Sequence, residues 1–304
     1  MKEKNIGGVM LVIATLIWGT SLVAQSIGTN LIEPFTFNGV RFLIGAFVLL
    51  PIIIIKIYQE NRHQIKSERP QNINYSFIKG GLICGCILFV TASLQQTGIA
   101  YTTVGKAGFI TALYIIIVPV IGLFLGKRVN WKTWGCILLA TTGMYFLCVD
   151  ENLVLGFGDA LVLLCALSTS IHILAIDFYS SQLDCIKLSC LQFLICGILS
   201  LAIAFIFENP QLQSVINAGA PILYTGILSC GIAYTLQTLG QKSVSPVAAC
   251  LILSLESVFS VLFGWMILKE TLNSREAVGC VLVFLATVIS QIIALNAIPT
   301  SCQS

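Results

Sequence analysis

From Ser245 to Glu270 the chain reads SPVAACLILSLESVFSVLFGWMILKE. It stays apolar for more than six helical turns, with one carboxylate, Glu256, near its middle. About 20 apolar residues cross a bilayer core at ~1.5 Å per residue, so residues 246–267 are expected to span a membrane. A charged side chain at mid-depth costs ~2.5–3.5 kcal/mol or more in lipid, so Glu256 should face protein or water. Two readings stay open. In one, Glu256 is protonated or hydrogen-bonded and fastens helices together. In the other, it lines a polar cavity through which something moves.

Similar blocks run the length of the 304-residue chain, which is 57% hydrophobic and 10% charged; soluble domains are about 25% charged. Ten helical blocks can be drawn, at 6–27, 35–57, 77–99, 107–126, 133–149, 158–179, 188–207, 221–239, 246–267 and 277–295. The first exceeds the ~7–15-residue core of a signal peptide and reads as an uncleaved helix. The one long connection, Tyr58 to Ser76, is too polar to bury and is expected at the membrane surface. Most of the 12 cysteines fall inside apolar blocks and no CxxC pair occurs, so they read as small buried residues. With only two histidines, His63 and His172, no metal site is expected. There is no GxxxxGK[ST], HExxH or GxSxG, which leaves ATP hydrolysis, a metalloprotease and a serine hydrolase without support. No cofactor is expected.

Basic residues in short loops set orientation. With the N-terminus cytoplasmic, the cytoplasmic segments hold Lys2, Lys4, Lys56, Arg62, Lys66, Arg69, Lys79, Lys127, Arg128, Lys132, Lys187 and Lys242. The outer segments hold only Lys106, Lys269 and Arg275, and the loop Asp150-Glu151-Asn152 lies outside. An even helix count puts both termini in the cytoplasm. The chain also reads as two related halves. QTGIAYTTVGKAGFITALYIIIVPVIGLFLGKR precedes WGCILLATTG, as QTLGQKSVSPVAACLILSLESVFSVLFGWMILKE precedes VGCVLVFLAT. Gln96 then matches Gln237, and Lys127 matches Lys269. Five helices per half, an odd number, forces the halves to insert upside down relative to each other, a recurring transporter architecture.

Several motifs carry a resemblance: LIWGTSLVAQ in the first block, Arg41 within FNGVRFLIGAFVL, YTTVGKAGFITALYIIIVP, and SLESVFSVLFGWMILKETL. With the topology and the repeat, the chain resembles the EamA-like branch of the drug/metabolite transporter superfamily. The resemblance implies an all-α membrane protein with ten transmembrane helices as two inverted five-helix repeats, at 7–150 and 157–293. It implies export of small organic metabolites, amino acids, related compounds or drugs, across the cytoplasmic membrane. The expected partners are a small-molecule substrate and membrane lipid, with no nucleic acid, and no enzymatic activity is expected. Ser257 stands where the family has proline, and Lys269 where it has glycine, so a proline-kinked ninth helix is not carried over. The competing classes are a membrane-embedded lipid-modifying enzyme, which would need clustered acid–base residues at a helix end, and a scaffold or sensor docking through the Tyr58–Ser76 connection.

Glu256 is the candidate proton- or cation-binding group. Arg41, about 10 Å below the outer end of its helix by rise, either snorkels outward or faces a cavity. His172 shares a helical face with Ser168 and is either a buried hydrogen-bonder or a proton relay. Trp18, Tyr114 and Tyr234 lie inside helices, where they suit either an aromatic-lined cavity or plain core packing. Gln96 and Gln237 are amides that interhelical hydrogen bonding also explains.

Overall fold

The computed structural model describes residues 2–63, 75–126, 129–148, 156–269 and 274–296. The sequence readings at residues 64–74, at Lys127 and Arg128, at Asp150-Glu151-Asn152 and at Glu270 lie outside them. The described residues form α1 Lys2–Thr29, α2 Pro34–His63, α3 Tyr75–Ile99, α4 Val104–Ala112, α5 Tyr114–Phe124, α6 Trp131–Cys148 and α7 Phe157–Ser180. There follow α8 Cys185–Phe207, α9 Leu212–Asn217, α10 Gly219–Tyr224, a π-helical segment Thr225–Tyr234, α11 Thr235–Gln241, α12 Pro246–Leu253, α13 Leu255–Leu268 and α14 Ser274–Asn296. Among the described residues there is no strand.

Helix starts follow local chemistry. Thr103 accepts a hydrogen bond from Lys106 N at the head of α4, and Asp184 accepts from Ile186 N and Lys187 N at the head of α8. Both satisfy backbone donors that the first turn leaves unpaired. At the head of α2 the cap comes from the residue that follows α8: Phe35 N and Thr36 N each donate to the Glu208 carboxylate at 2.7 Å. Pro51 sits inside α2 without ending it, which membrane helices tolerate.

Eight segments among the described residues are long and apolar enough to cross a membrane. The helices matching the fifth and tenth expected blocks, α6 and α14, are not among them; in α14 the apolar run is the shorter Ala277–Ser290. Threonines, glycines and Lys132 lower the hydropathy of α6. The two helices pack along each other, and a Cβ at Gly143 would lie 2.8 Å from Gly279 O.

Two expected single helices are broken. Residues 107–126 divide at Leu113, and 246–267 divide at Ser254. The eighth block changes from α to π and back. α1 packs on α13, the π segment and α11, while α7 packs on α4 and α3. α2 lies along α8. The broken segment Pro246–Ile267 is the most enclosed of the eight: 78% of its apolar window is buried, against 28–56% elsewhere. Glycines make that position possible. A Cβ at Gly19 would stand 2.4 Å from Phe259 Cβ, and one at Gly108 would stand 2.7 Å from Ser260 Oγ. Small residues thus let α1 and α4 close on α13 from two sides. The main core cluster, with Leu11, Ile115, Met144, Ile173 and Leu251, packs around this segment.

Candidate functional site

No proline breaks the helix that carries Glu256; a ladder of serines accompanies the break. Ser254 Oγ donates to Leu251 O at 2.8 Å, Ser257 Oγ to Ser254 O at 2.7 Å and Ser260 Oγ to Ser257 O at 2.8 Å. Hydroxyls that bond back to a preceding carbonyl bend helices. They also satisfy carbonyls that a broken helix would leave unpaired in a membrane. The backbone tightens at the same place, with Ser257 N on Ser254 O at 3.2 Å. The break leaves Glu256 in the first turn of α13, where the helix dipole favours negative charge. The other break has the same form: Leu113 N bonds to Ile110 O at 3.2 Å, and Tyr114 opens α5.

Between the two breaks lies a cavity of about 40 Å³. Trp18 and Gln25 face it from α1, Arg41 from α2, Thr91 and Gln95 from α3, and Thr111 and Tyr114 from the first break. Thr169 and His172 face it from α7, Ser229 and Tyr234 from the π segment, Gln237 from α11 and Glu256 from the second break. Trp18 stacks edge-on against Tyr234 at 4.8 Å, and Phe42 and Phe193 back the same ring.

Both charges in this cavity are buried, Arg41 at 1% exposure and Glu256 at 8%. Arg41 therefore does not snorkel to the outer interface. Its guanidinium stands over Phe42 at 4.9 Å and Phe37 at 5.5 Å, contacts worth ~0.5–2 kcal/mol. Among the described residues neither charge has an ion-pair partner; the pairs found are Lys56–Asp184 and Lys106–Asp159. Several neutral groups of the lining are also buried without a hydrogen bond among the described residues: Trp18 Nε1, Gln25 Oε1, Tyr114 OH and Gln237 Oε1, together with Arg41 Nε. Each such atom costs about 1–3 kcal/mol if nothing polar meets it. Donors and acceptors are both present, so the site suits a ligand that carries both.

Seven of the nine sequence candidates meet here: Glu256, His172, Arg41, Tyr114, Trp18, Tyr234 and Gln237. Ser168 stands beside the cavity, its hydroxyl 2.6 Å from that of Thr91. Gln96 is fully buried and donates to Gln25 O at 3.3 Å, while its neighbour Gln95 takes the place in the lining. Sequence reasoning missed Gln25, Thr91, Gln95, Thr111, Thr169 and Ser229 as site residues. Helical spacing was the available signal for three of them. Thr111 and Tyr114, Thr169 and His172, and Trp18 and Gln25 are three or seven apart and share faces. Among the described residues no group of three His, Cys, Asp or Glu gathers to hold a metal.

The comparisons with known proteins agree with this architecture. The family model of the EamA-like transporter family matches residues 5–149 and 156–291. A curated "Uncharacterized transporter" of Archaeoglobus fulgidus is 30% identical over 280 residues, 92% of this chain and 83% of the relative. The "Uncharacterized transporter YoaV" of Bacillus subtilis is 27% identical over 282 residues, 90% of this chain and 92% of its own length. A crystal structure 19% identical in sequence shares the fold at a TM-score of 0.72, over 95% of this chain and 98% of the other.

Proposed function

This chain belongs to the EamA-like transporter family, and on that premise we propose that it is a secondary transporter of the cell membrane. It exports a small organic metabolite, an amino acid or related amphiphile, by alternating access. Its ten transmembrane helices form two inverted five-helix repeats, 7–150 and 157–293, with both termini cytoplasmic. In this count α4 with α5, α10 and α11 with the π segment between them, and α12 with α13 are each one crossing.

One observation carries the reading: a buried cation and a buried anion, Arg41 and Glu256, face one cavity with no ion-pair partner among the described residues. Lipid would not tolerate this arrangement, and a fold that needed the charges only for stability would pair them. The packing supports the repeat. α1 on α13 has its counterpart in α7 on α5, and α2 meets α8 as α6 meets α14. Leu113 and Ser254, the two breaks, are as far apart in sequence as Gln96 and Gln237. Discontinuous helices near the midplane are where such transporters bind their cargo.

The volume supports movement. A water needs ~10–15 Å³ of such space, so about 40 Å³ holds a few waters and no metabolite. Its walls must part to admit a substrate. Glu256 is the proton- or cation-binding group, and an isolated carboxylate in a closed site must be neutralised by one or the other. Arg41 and His172 are secondary polar contacts. Purified protein in sealed vesicles, screened against amino acids and organic cations, tests this. We expect flux of at least one class above that of empty vesicles. The absence of flux across the whole panel, with the protein folded and inserted in both orientations, would refute it.

A further inference from the structure

We propose that Gln192, a residue outside the cavity lining, fixes His172 as a hydrogen-bond acceptor toward the cavity. His172 then selects a substrate that offers a donor there, a protonated amine or a hydroxyl; this second clause rests on the transporter reading above. Gln192 lies on α8 and is fully buried. Its Oε1 stands 3.0 Å from His172 Nε2. In this orientation the Gln192 amide oxygen faces the ring and accepts, so Nε2 carries the hydrogen, while Gln192 Nε2 is buried without a hydrogen bond among the described residues. A neutral imidazole with its hydrogen on Nε2 presents a lone pair at Nδ1. His172 faces the cavity, and Nδ1 has no protein hydrogen-bond partner among the described residues.

The imidazole also has an aromatic neighbour. Tyr234 packs edge-on against it at 6.4 Å and 85°. The next residue, Ile173, accepts a hydrogen bond through its carbonyl from Gln241 Nε2 at 3.4 Å, which ties α7 to α11. Ser189, one turn before Gln192, donates to Thr238 Oγ1 at 3.2 Å, which ties α8 to the same helix. Three elements therefore hold one hydrogen bond in register. The result adds a fixed acceptor to a mixed lining: Glu256, His172 Nδ1, Gln25 Oε1 and Gln237 Oε1 accept, and Arg41 and Trp18 Nε1 donate.

The chain has two histidines, so His63→Gln leaves His172 as the only imidazole for ¹⁵N spectroscopy of histidine-labelled protein. We expect neutral His172 protonated at Nε2, with Nδ1 bare. Gln192→Leu should relax the tautomer ratio about fivefold, the worth of one buried hydrogen bond. Gln192→Glu, which keeps an acceptor, should hold the original tautomer. Methylammonium, the simplest amine donor, should shift the Nδ1 resonance in the parent and Gln192→Glu proteins. A parent protein protonated at Nδ1, or equal spectra for Gln192→Leu and the parent, would overturn the assignment. An Nδ1 resonance unmoved by methylammonium would overturn the choice of an amine. These spectra report on the ring whether or not anything is transported, so a failed vesicle screen would sink the transporter reading and leave the tautomer assignment standing.

Discussion

The charges at the ends of the helices and those in the middle of the bundle are handled in opposite ways. At one end Lys106 and Thr102 meet Asp159, which also accepts from Gly156 N at 2.9 Å. Lys56 meets Asp184, and Glu208 caps α2. Each of these carboxylates is used up by the fold. In the middle, Arg41 and Glu256 face one space, and among the described residues neither has an ion-pair partner. The end pairs tie one helix to another and cost little to keep, because water reaches part of each. An unmatched pair at the centre costs several kcal/mol per ion, which stability alone does not justify. The difference separates what holds the bundle together from what the bundle is built to hold.

Replacing a central charge and replacing an end charge should therefore give different defects. Arg41→Met keeps most of the aliphatic stem and removes the guanidinium that stands over Phe37 and Phe42. It should cost transport about 100-fold or more, from ~3 kcal/mol for a charge-assisted hydrogen bond to substrate, while thermal stability holds or rises. A variant that transports at half the parent rate would place Arg41 with the structural charges.

Lys106→Met should do the reverse. Asp159, 3% exposed, would lose its cation but keep Thr102 and Gly156 N. We expect a stability loss of about 1–3 kcal/mol, read as a lower melting temperature in detergent. Lys106→Met with Asp159→Asn should recover most of it. Failure of the double variant to recover would mean that the pair does more than neutralise itself.

The smallest effect belongs to Asp184. Burial alone would raise its carboxyl, but the Lys56 ammonium and the Lys187 backbone N–H together hold it below the ordinary value of 3.8. A lowered folded pKa contributes stability above the unfolded value, and that contribution is lost as pH falls through the folded value. The pair is 41% and 24% exposed, so the gain is of order 0.5–1 kcal/mol after solvent screening. Melting temperatures measured from neutral pH down through the carboxylate range should fall slightly less steeply for Asp184→Asn. An identical slope would remove Asp184 from the group of end locks.

The contrast also marks what the chain makes legible. Apolar length foretells membrane segments because lipid demands it, and the segments observed follow the expected blocks closely from 77–99 to α3 and from 188–207 to α8. The breaks were less legible. Ser257 in place of proline argues for a straight helix, yet the hydroxyls of Ser254, Ser257 and Ser260 bond back along a helix that divides at Ser254. The π segment left no mark beyond its threonine, serine and glycines. Rotation was hardest to read. In lipid the outward face is as apolar as the core, so α3 shows no polar stripe to tell Gln95 from Gln96, which point about 100° apart. Charged and aromatic residues inside helices were the stronger signal, and Trp18, Arg41, Tyr114, His172, Tyr234, Gln237 and Glu256 do line one space.

The central claim is that Glu256 is unmatched because it carries a proton or cation in the transport cycle. Glu256→Gln keeps the size and the hydrogen-bonding atoms and removes the titration. In sealed vesicles bearing an imposed pH gradient, with a substrate identified on the parent protein, the account predicts a folded, inserted variant whose gradient-driven transport is lost. Exchange of substrate at equal pH should survive in part. Normal gradient-driven transport by Glu256→Gln, with the parent's pH dependence, would contradict the account and make Glu256 one more structural charge.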